Sequence, residues 1–204
     1  MTLFTCLRPA AVLVMALGLA SCGGKASFPI NGTVTGLQYD GLLLSTNGMN
    51  LKVAANATAF SFPNSLSYGD VFKIVITTQP AHQTCSTISP TTGYDTSSDT
   101  AGRTAAINIA IGCSVNTYAI GGTVTGLSAG TLVLTNGTAG GTISIVPATV
   151  VTDPVTYSFT TLVSYNTSYG VTVLTQPDGK VCTVSNPTGV MGDAAVANIN
   201  VNCV

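Results

Sequence analysis

The sequence is poor in charge and in most side chains that carry out chemistry. Its 204 residues contain no tryptophan and one histidine, and all seven acidic residues are aspartate. Only 6% of the chain is charged, so its six lysines and arginines do not form the clustered basic surface that nucleic acids require. Without glutamate or paired aspartates, the carboxylate pair of a glycosidase is also missing. We therefore expect neither a nucleic-acid partner nor an enzyme.

The residues that are abundant favour β-structure. Hydrophobic residues make up 46% of the chain, there are 22 glycines, and Thr, Ser, Val, Gly and Asn dominate the rest. β-Branched residues suit strands, and Gly and Asn suit the turns between them. No segment beyond the first 21 residues keeps a 3.6-residue apolar period. The composition predicts an all-β protein.

The N-terminus has the three-part form of a secretory signal. Residues 1–9 carry one positive charge, residues 10–20 are an apolar run, and the run ends in Leu19-Ala20-Ser21-Cys22. This run is too short to span a bilayer comfortably. One interpretation is an ordinary signal peptide followed by an incidental cysteine.

The Leu-Ala-Ser-Cys sequence also resembles the signal of bacterial lipoproteins, in which the cysteine becomes the acylated first residue. The resemblance implies a signal peptide over 1–21, lipidation of Cys22, and a short lipid-anchored tether over 22–29. Gly23, in place of aspartate, is typical of release to the outer membrane. The expected location is thus the bacterial outer membrane, with the membrane itself as a partner through the N-terminal lipid.

An internal duplication organises the rest of the chain. Residues 67–85 recur without a gap as residues 164–182, at an offset of 97, and flanking motifs recur at offsets of 89 and 90. We predict repeat 1 over 30–113, a linker over 114–119 and repeat 2 over 120–204. Differences in length between the copies fall in two segments that should be surface loops.

Each repeat contains seven strand-like runs separated by turn signals. In repeat 2 these runs are 120–125, 130–135, 142–147, 156–161, 169–175, 180–185 and 195–203. Seven short strands in about 90 residues are typical of an immunoglobulin-like or fibronectin-like antiparallel β-sandwich. In the duplicated stretch, the alternate residues Phe72, Ile74 and Ile76 should face the core.

Several motifs, among them Gly-Thr-Val-Thr-Gly-Leu, Leu-Val-Leu-Thr-Asn-Gly and Tyr-Ser-Phe, resemble those of tandem Ig-like β modules in proteobacterial envelope proteins. This resemblance implies a fold without catalytic residues of its own. From the residues themselves we expect no cofactor and no metal site.

Four cysteines remain once Cys6 leaves with the signal and Cys22 is acylated, and they allow three pairings. In each repeat one cysteine opens the penultimate strand and the other closes the last strand. The start of one antiparallel strand lies opposite the end of the next, which favours Cys85–Cys113 and Cys182–Cys203. A metal site, the alternative, would need closely spaced thiolates.

His82 and one loop are the remaining candidates for function. His82 follows Pro80 in a turn, so we predict an exposed turn residue, with the catalytic base of a hydrolase as a remote alternative. The longer loop of repeat 1 holds Tyr94, Asp95 and Asp99. This candidate contact loop could bind a partner or a calcium ion, or could be a plain connector.

Together these features predict a lipid-anchored envelope protein that serves as a non-catalytic binding or spacer module. A surface adhesin or glycan-binding protein, using loops at one end of the sandwich, is the alternative. Its partner would be another envelope protein or a glycan.

Overall fold

The computed structural model describes residues 25–88, 97–138, 140–147 and 154–204. In this part of the chain the regular structure consists of strands, and no helix is long and apolar enough to cross a membrane. The strands of the first half are β1 Ser27–Phe28, β2 Ile30–Thr35, β3 Leu43–Thr46, β4 Met49–Lys52, β5 Ala59–Ser61, β6 Leu66–Ser67, β7 Val71–Lys73, β8 Val75–Thr78, β9 Gln83–Ile88, β10 Ser98–Thr100 and β11 Ile107–Val115. Those of the second half are β12 Thr117–Tyr118, β13 Gly121–Thr125, β14 Leu132–Asn136, β15 Thr142–Ile145, β16 Val155–Ser158, β17 Val163–Ser164, β18 Ser168–Thr175, β19 Cys182–Ser185, β20 Thr188–Val190 and β21 Asn200–Cys203.

Both halves have the same sandwich architecture. In repeat 1 a sheet of order β5-β2-β11-β9 encloses a core with the β4-β3-β8 sheet and the β10-β7 pair. In repeat 2 the corresponding sheets are β16-β13-β21-β19 and β15-β14-β18-β20. The seven predicted runs of repeat 2 all contain strands. The prediction of two tandem all-β sandwiches is confirmed.

In the described residues the sheets are mainly antiparallel, as predicted, and each repeat has one parallel pair of strands. The first core strand of each repeat lies parallel to the last, β2 with β11 and β13 with β21. Period-two alternation tells which residues face the core but carries no information about the direction of the neighbouring strand. The sequence patterns therefore could not reveal this pairing.

The duplicated stretch forms core strands in both repeats. Phe72 and Ile74 are buried while Lys73 between them is exposed, as the alternation predicts. Val171, the counterpart of Ile74, is fully buried in repeat 2. In repeat 1 the strand is interrupted at Ile74, whose N–H donates to the Ser97 carbonyl oxygen, whereas β18 runs without a break.

The matching of the β3 and β14 regions needs a correction. The offset of 89 rests on sequence identity, which aligns Asn47-Gly48 with Asn136-Gly137. The pairing of both strands with the duplicated stretch instead places Leu44 opposite Ile76, and Leu134 opposite Val173. Both leucines are fully buried, so the structural offset is 90. Burial, rather than the turn residues, determines the correspondence.

Both predicted disulfides are present. Cys85 pairs with Cys113 and Cys182 with Cys203, and in each case the two cysteines lie directly opposite each other in an antiparallel pair. A glutamine supports each bridge: the Gln79 side chain accepts the Cys85 N–H at 2.7 Å and donates to its carbonyl oxygen at 3.0 Å. Gln176 does the same with Cys182. This contact explains why Gln79 and Cys85 recur together as Gln176 and Cys182.

Strands extend each repeat beyond its predicted bounds. Ser27–Phe28, assigned to the 22–29 tether, pairs with Leu66–Ser67. Thr117–Tyr118, assigned to the 114–119 linker, pairs in the same way with β17. The last strand of repeat 1 continues to Val115 because Ser114 and Val115 pair with the start of β9. Only Asn116 therefore separates the strands of the two repeats.

Candidate functional site: the joint between the repeats

Polar and aromatic side chains meet where repeat 1 ends and repeat 2 begins. Tyr39 and His82 come from repeat 1, and Tyr165 and Asp193 come from repeat 2. We call these four residues the joint. His82 and Asp193 lie 111 residues apart in the chain, so their contact joins the two repeats.

His82 is the centre of the joint. Its Nδ1–H donates to the Asp193 carboxylate, with N–O distances of 2.8 and 2.9 Å. Its ring stacks on Tyr165 with centroids 3.8 Å apart and planes within 4°. Tyr39 packs edge-on against both rings, at 5.2 Å from His82 and 5.8 Å from Tyr165. The imidazole thus contacts repeat 2 through a hydrogen bond and through a ring face.

The turn that carries His82 requires an unusual backbone. His82 has a φ of 58°, and Gly179, its counterpart in repeat 2, has a φ of 70°. A side chain in this left-handed region is uncommon, and glycine adopts it without steric cost. Repeat 1 places histidine where the turn favours glycine, and the contacts with repeat 2 stabilise that choice.

The prediction that His82 is a freely exposed turn residue is wrong. The residue lies in a turn, but its side chain is only 29% exposed because Tyr165 and Asp193 cover it. A carboxylate on Nδ1 also orients the base of a Ser-His-Asp triad. Here, however, the hydrogen bonds of the His82 side chain are made to Asp193 of the other repeat. The observed geometry is that of a contact between domains.

Buried Gln83 holds the repeat 1 side of the joint in place. Its side-chain oxygen accepts the N–H groups of Gln38 and Tyr39 at 2.7 and 3.0 Å, and its amide nitrogen donates to the Gly36 carbonyl oxygen at 2.7 Å. Gln83 is 2% exposed, so these bonds are shielded from water. The backbone of Tyr39 is therefore anchored next to the turn that carries His82.

Asn116, the residue between the repeats, is bonded on both sides. Its N–H donates to the His82 carbonyl oxygen at 2.9 Å, and its own carbonyl oxygen accepts the Tyr165 N–H at 2.9 Å. Its side-chain oxygen accepts the Thr84 hydroxyl at 2.8 Å. Backbone hydrogen bonds from a single residue to both repeats leave the connection little freedom.

Sequence reasoning missed most of the joint, although a signal was present. Within the gapless duplicated stretch, His82-Gln83 stands where repeat 2 has Gly179-Lys180. The structure also places Arg103 at the position equivalent to Asp193, because β10 and β20 pair with corresponding residues of β7 and β18. His82 and Asp193 thus both lie at positions where one copy departs from the other, whereas Tyr165 matches Tyr68.

The candidate contact loop is described only in part. Tyr94 and Asp95 lie outside the described residues, as does Cys22. Asp99 lies on β10, where its carboxylate accepts the Thr100 N–H at 2.7 Å and pairs with Arg103 at 3.2 Å. It borders an open cleft of about 720 Å³. In the described part of the chain no three His, Cys, Asp or Glu side chains are grouped to hold a metal ion.

Comparisons with known proteins give distant similarity. No family model matches the chain, and no curated protein matches it. Among solved structures, the chain is similar to a C-terminal fragment of the pilus adhesin SpaC from Lactobacillus rhamnosus GG, with 10% identity and a TM-score of 0.34 over 87% of this chain and 95% of that one. It is also similar to a longer structure of the same adhesin, with 10% identity and a TM-score of 0.32 over 87% of this chain and 30% of that one.

Proposed function

We propose that this chain is a lipid-anchored, non-catalytic spacer of the bacterial envelope, which holds two sandwiches in a fixed relation and projects them from the membrane. The observation that carries the proposal is the joint. A flexible tandem would need only a polar linker, but here a stacked ring pair, a hydrogen-bonded carboxylate and a doubly bonded connecting residue join the repeats.

The disulfides support an oxidising location outside the cytoplasm. Each repeat closes its last two strands with one bridge, and small secreted domains use such bridges to supplement a limited core. The lipoprotein-like sequence ending in Cys22 supports anchoring, since several acyl chains together hold a protein stably on a membrane. Outer-membrane residence rests on Gly23.

Cell fractionation and mass spectrometry test the anchor. The wild-type protein should be found in the membrane fraction with acyl chains on Cys22, whereas Cys22→Ser should be recovered as a soluble protein. Cys6→Ser is the matched control, because Cys6 lies in the segment expected to be removed and its loss should change neither location nor mature mass. Membrane association of Cys22→Ser equal to that of wild type would contradict the anchoring.

A second candidate function is recognition of a glycan or an envelope protein by repeat 1. The cleft beside β10 supports it, since Asp99, Arg103 and Asn108 contribute polar groups to its lining. Binding of the purified protein to a glycan array, lost in Arg103→Ala but kept in Lys180→Ala, would favour recognition. Equal binding by wild type and both variants, or no binding at all, would favour the spacer function over recognition through this cleft.

A further inference from the structure

The end of repeat 2 that docks on repeat 1 has an equivalent in repeat 1. In repeat 2 this end carries Tyr165, whose N–H donates to the Asn116 carbonyl oxygen at 2.9 Å. In repeat 1 the equivalent Tyr68 donates to the Ala26 carbonyl oxygen at 3.0 Å. We call the surface around Tyr68 the proximal face of repeat 1.

The neighbouring loops confirm the equivalence. The Gly69 N–H donates to the Ala101 carbonyl oxygen, and the Ala101 N–H donates to the Asp70 carbonyl oxygen, at 2.9 and 2.8 Å. In repeat 2, Asn166, Met191 and Thr167 make the same two bonds, at 2.8 and 2.9 Å. The fold therefore presents the same end in both repeats. In repeat 2 that end is covered by repeat 1.

The proximal face exposes side chains suited to a membrane interface. Tyr68 is 69% exposed, and its ring packs so closely on Gly102 that a Cβ at position 102 would clash with it. Val71 is 72% exposed, and the Arg103 side chain is 74% exposed. Tyrosine places a ring in the interface with its hydroxyl in water, and arginine extends its guanidinium to phosphate while its stem covers apolar surface.

The other charges near the face nearly balance. Lys25 is exposed at the start of the described chain, the Asp70 carboxylate accepts the Ser67 N–H at 2.8 Å, and Asp99 pairs with Arg103. A face with mixed charge and an exposed ring fits a predominantly zwitterionic phospholipid surface better than it fits a polyanion.

Chain length places this face close to the expected anchor. Ala26, whose carbonyl oxygen bonds to Tyr68, follows Cys22 by four residues. Four extended residues reach at most about 14 Å. If Cys22 is acylated, the backbone of Tyr68 cannot lie farther than roughly this distance, plus one hydrogen bond, from the lipid surface.

We propose that the proximal face of repeat 1 rests directly on phospholipid headgroups, with Tyr68 and Arg103 in the interface; this inference rests on the proposed lipid anchor. A second copy of the chain is a poorer occupant. The free end of that second copy would place Gly179 against Tyr68, and glycine has no ring to stack. The proximal face in turn carries Arg103 where repeat 2 has Asp193, the carboxylate that binds His82. The membrane contact would fix the orientation of repeat 1, and the joint would transmit that orientation to repeat 2.

Because the chain has no tryptophan, a single tryptophan gives an unambiguous reporter. Acylated Tyr68→Trp protein would be reconstituted in vesicles of phosphatidylethanolamine with a minor fraction of phosphatidylglycerol, some carrying brominated acyl chains. Leu174→Trp, at an exposed position near the far end of β18, is the matched control. Bromolipid quenching should be several-fold stronger at position 68 than at 174. Adding Arg103→Glu should reduce it.

The outcomes separate the inference from the anchor. If the acylated protein floats with the vesicles but position 68 is quenched no more than position 174, the face does not touch the membrane and the inference fails alone. If the native protein does not float, a form starting at Cys22 is coupled through that thiol to a maleimide lipid. Quenching at position 68 in this coupled form would support membrane contact of the proximal face although the natural anchor is refuted. No quenching would refute both proposals. Shielding of position 68 from acrylamide in soluble Cys22→Ser protein would show that another copy covers the face, which also overturns the inference.

Discussion

Replacing His82 by glycine should release the two repeats from their fixed relation while leaving each repeat folded. The substitution removes the hydrogen bond to Asp193 and the stack on Tyr165. It installs the residue that repeat 2 itself carries in the same turn, Gly179. The backbone can accept it, because a φ of 58° is ordinary for glycine.

The expected magnitudes differ between the joint and repeat 1. The partly exposed pair of His82 and Asp193 contributes about 0.2–1 kcal/mol, and an aromatic stack about 0.5–1.5 kcal/mol. Their loss should weaken the joint by about 1–2 kcal/mol, or roughly 5–30-fold in the population of detached conformations. Relief of the left-handed strain at position 82 stabilises repeat 1 by at most about 1 kcal/mol, so repeat 1 should remain folded.

Residual dipolar couplings measured by NMR provide the assay. In the wild-type protein, the amide couplings of both repeats should fit one alignment tensor, since the repeats reorient together. In His82→Gly, each repeat should need its own tensor, with a smaller magnitude in the repeat that aligns less strongly. Asp193→Asn should give a weaker effect of the same kind, because it keeps the stack and a hydrogen-bonding side chain.

A second substitution separates the lost contacts from added backbone freedom. His82→Asn removes the ring but keeps a residue that tolerates positive φ, so it should uncouple the repeats as His82→Gly does. If the couplings of both variants still fit a single tensor, the backbone bonds of Asn116 alone hold the repeats together. The role assigned to His82 would then be refuted.

Other predictions concern the stability of single repeats. Burial raises the pKa of Tyr157 to about 12. The unfolding free energy is therefore unaffected by this group below pH 10 and falls between pH 10 and about 12, where the unfolded chain ionises first; the fall is at most about 3 kcal/mol. Denaturant titrations should show that Tyr157→Phe lacks this loss. Gln83→Leu should lower the unfolding free energy by roughly 2–4 kcal/mol, because it leaves the backbone groups around Tyr39 unpaired, whereas Lys180→Ala at the equivalent position should be nearly neutral. Removing both Cys182 and Cys203 should cost repeat 2 about 3 kcal/mol in thermal or denaturant unfolding, and an unchanged midpoint would contradict a structural role for that bridge.

The features that were predictable depend on local spacing. The alternation of Phe72 and Ile74 with Lys73 assigns the core face, since successive side chains of a strand point to opposite sides. The disulfide pairing followed because Cys85 and Cys113 sit at the adjoining ends of two consecutive long strands. Such reasoning requires no knowledge of how distant parts of the chain meet.

The joint could not be predicted in this way. His82 and Asp193 belong to different repeats, and their contact depends on the orientation of two separately folded sandwiches. Turn chemistry by itself favoured an exposed residue at position 82. A position-by-position comparison of the copies would have singled out His82 against Gly179, but not the residue that it meets.

The amino-acid sequence alone was sufficient for the all-β class, the duplication, the core-facing residues and the disulfide pairs, because strand alternation, turn residues and cysteine positions act over short distances. Tertiary structure decided the parallel pairing of first and last strands, the continuation of repeat 1 to Val115, and the roles of Tyr39, His82, Tyr165 and Asp193. The physical reason is that these features depend on which surfaces come together after each sandwich has formed. That choice is made by the packing of whole domains and leaves no periodic trace in the chain.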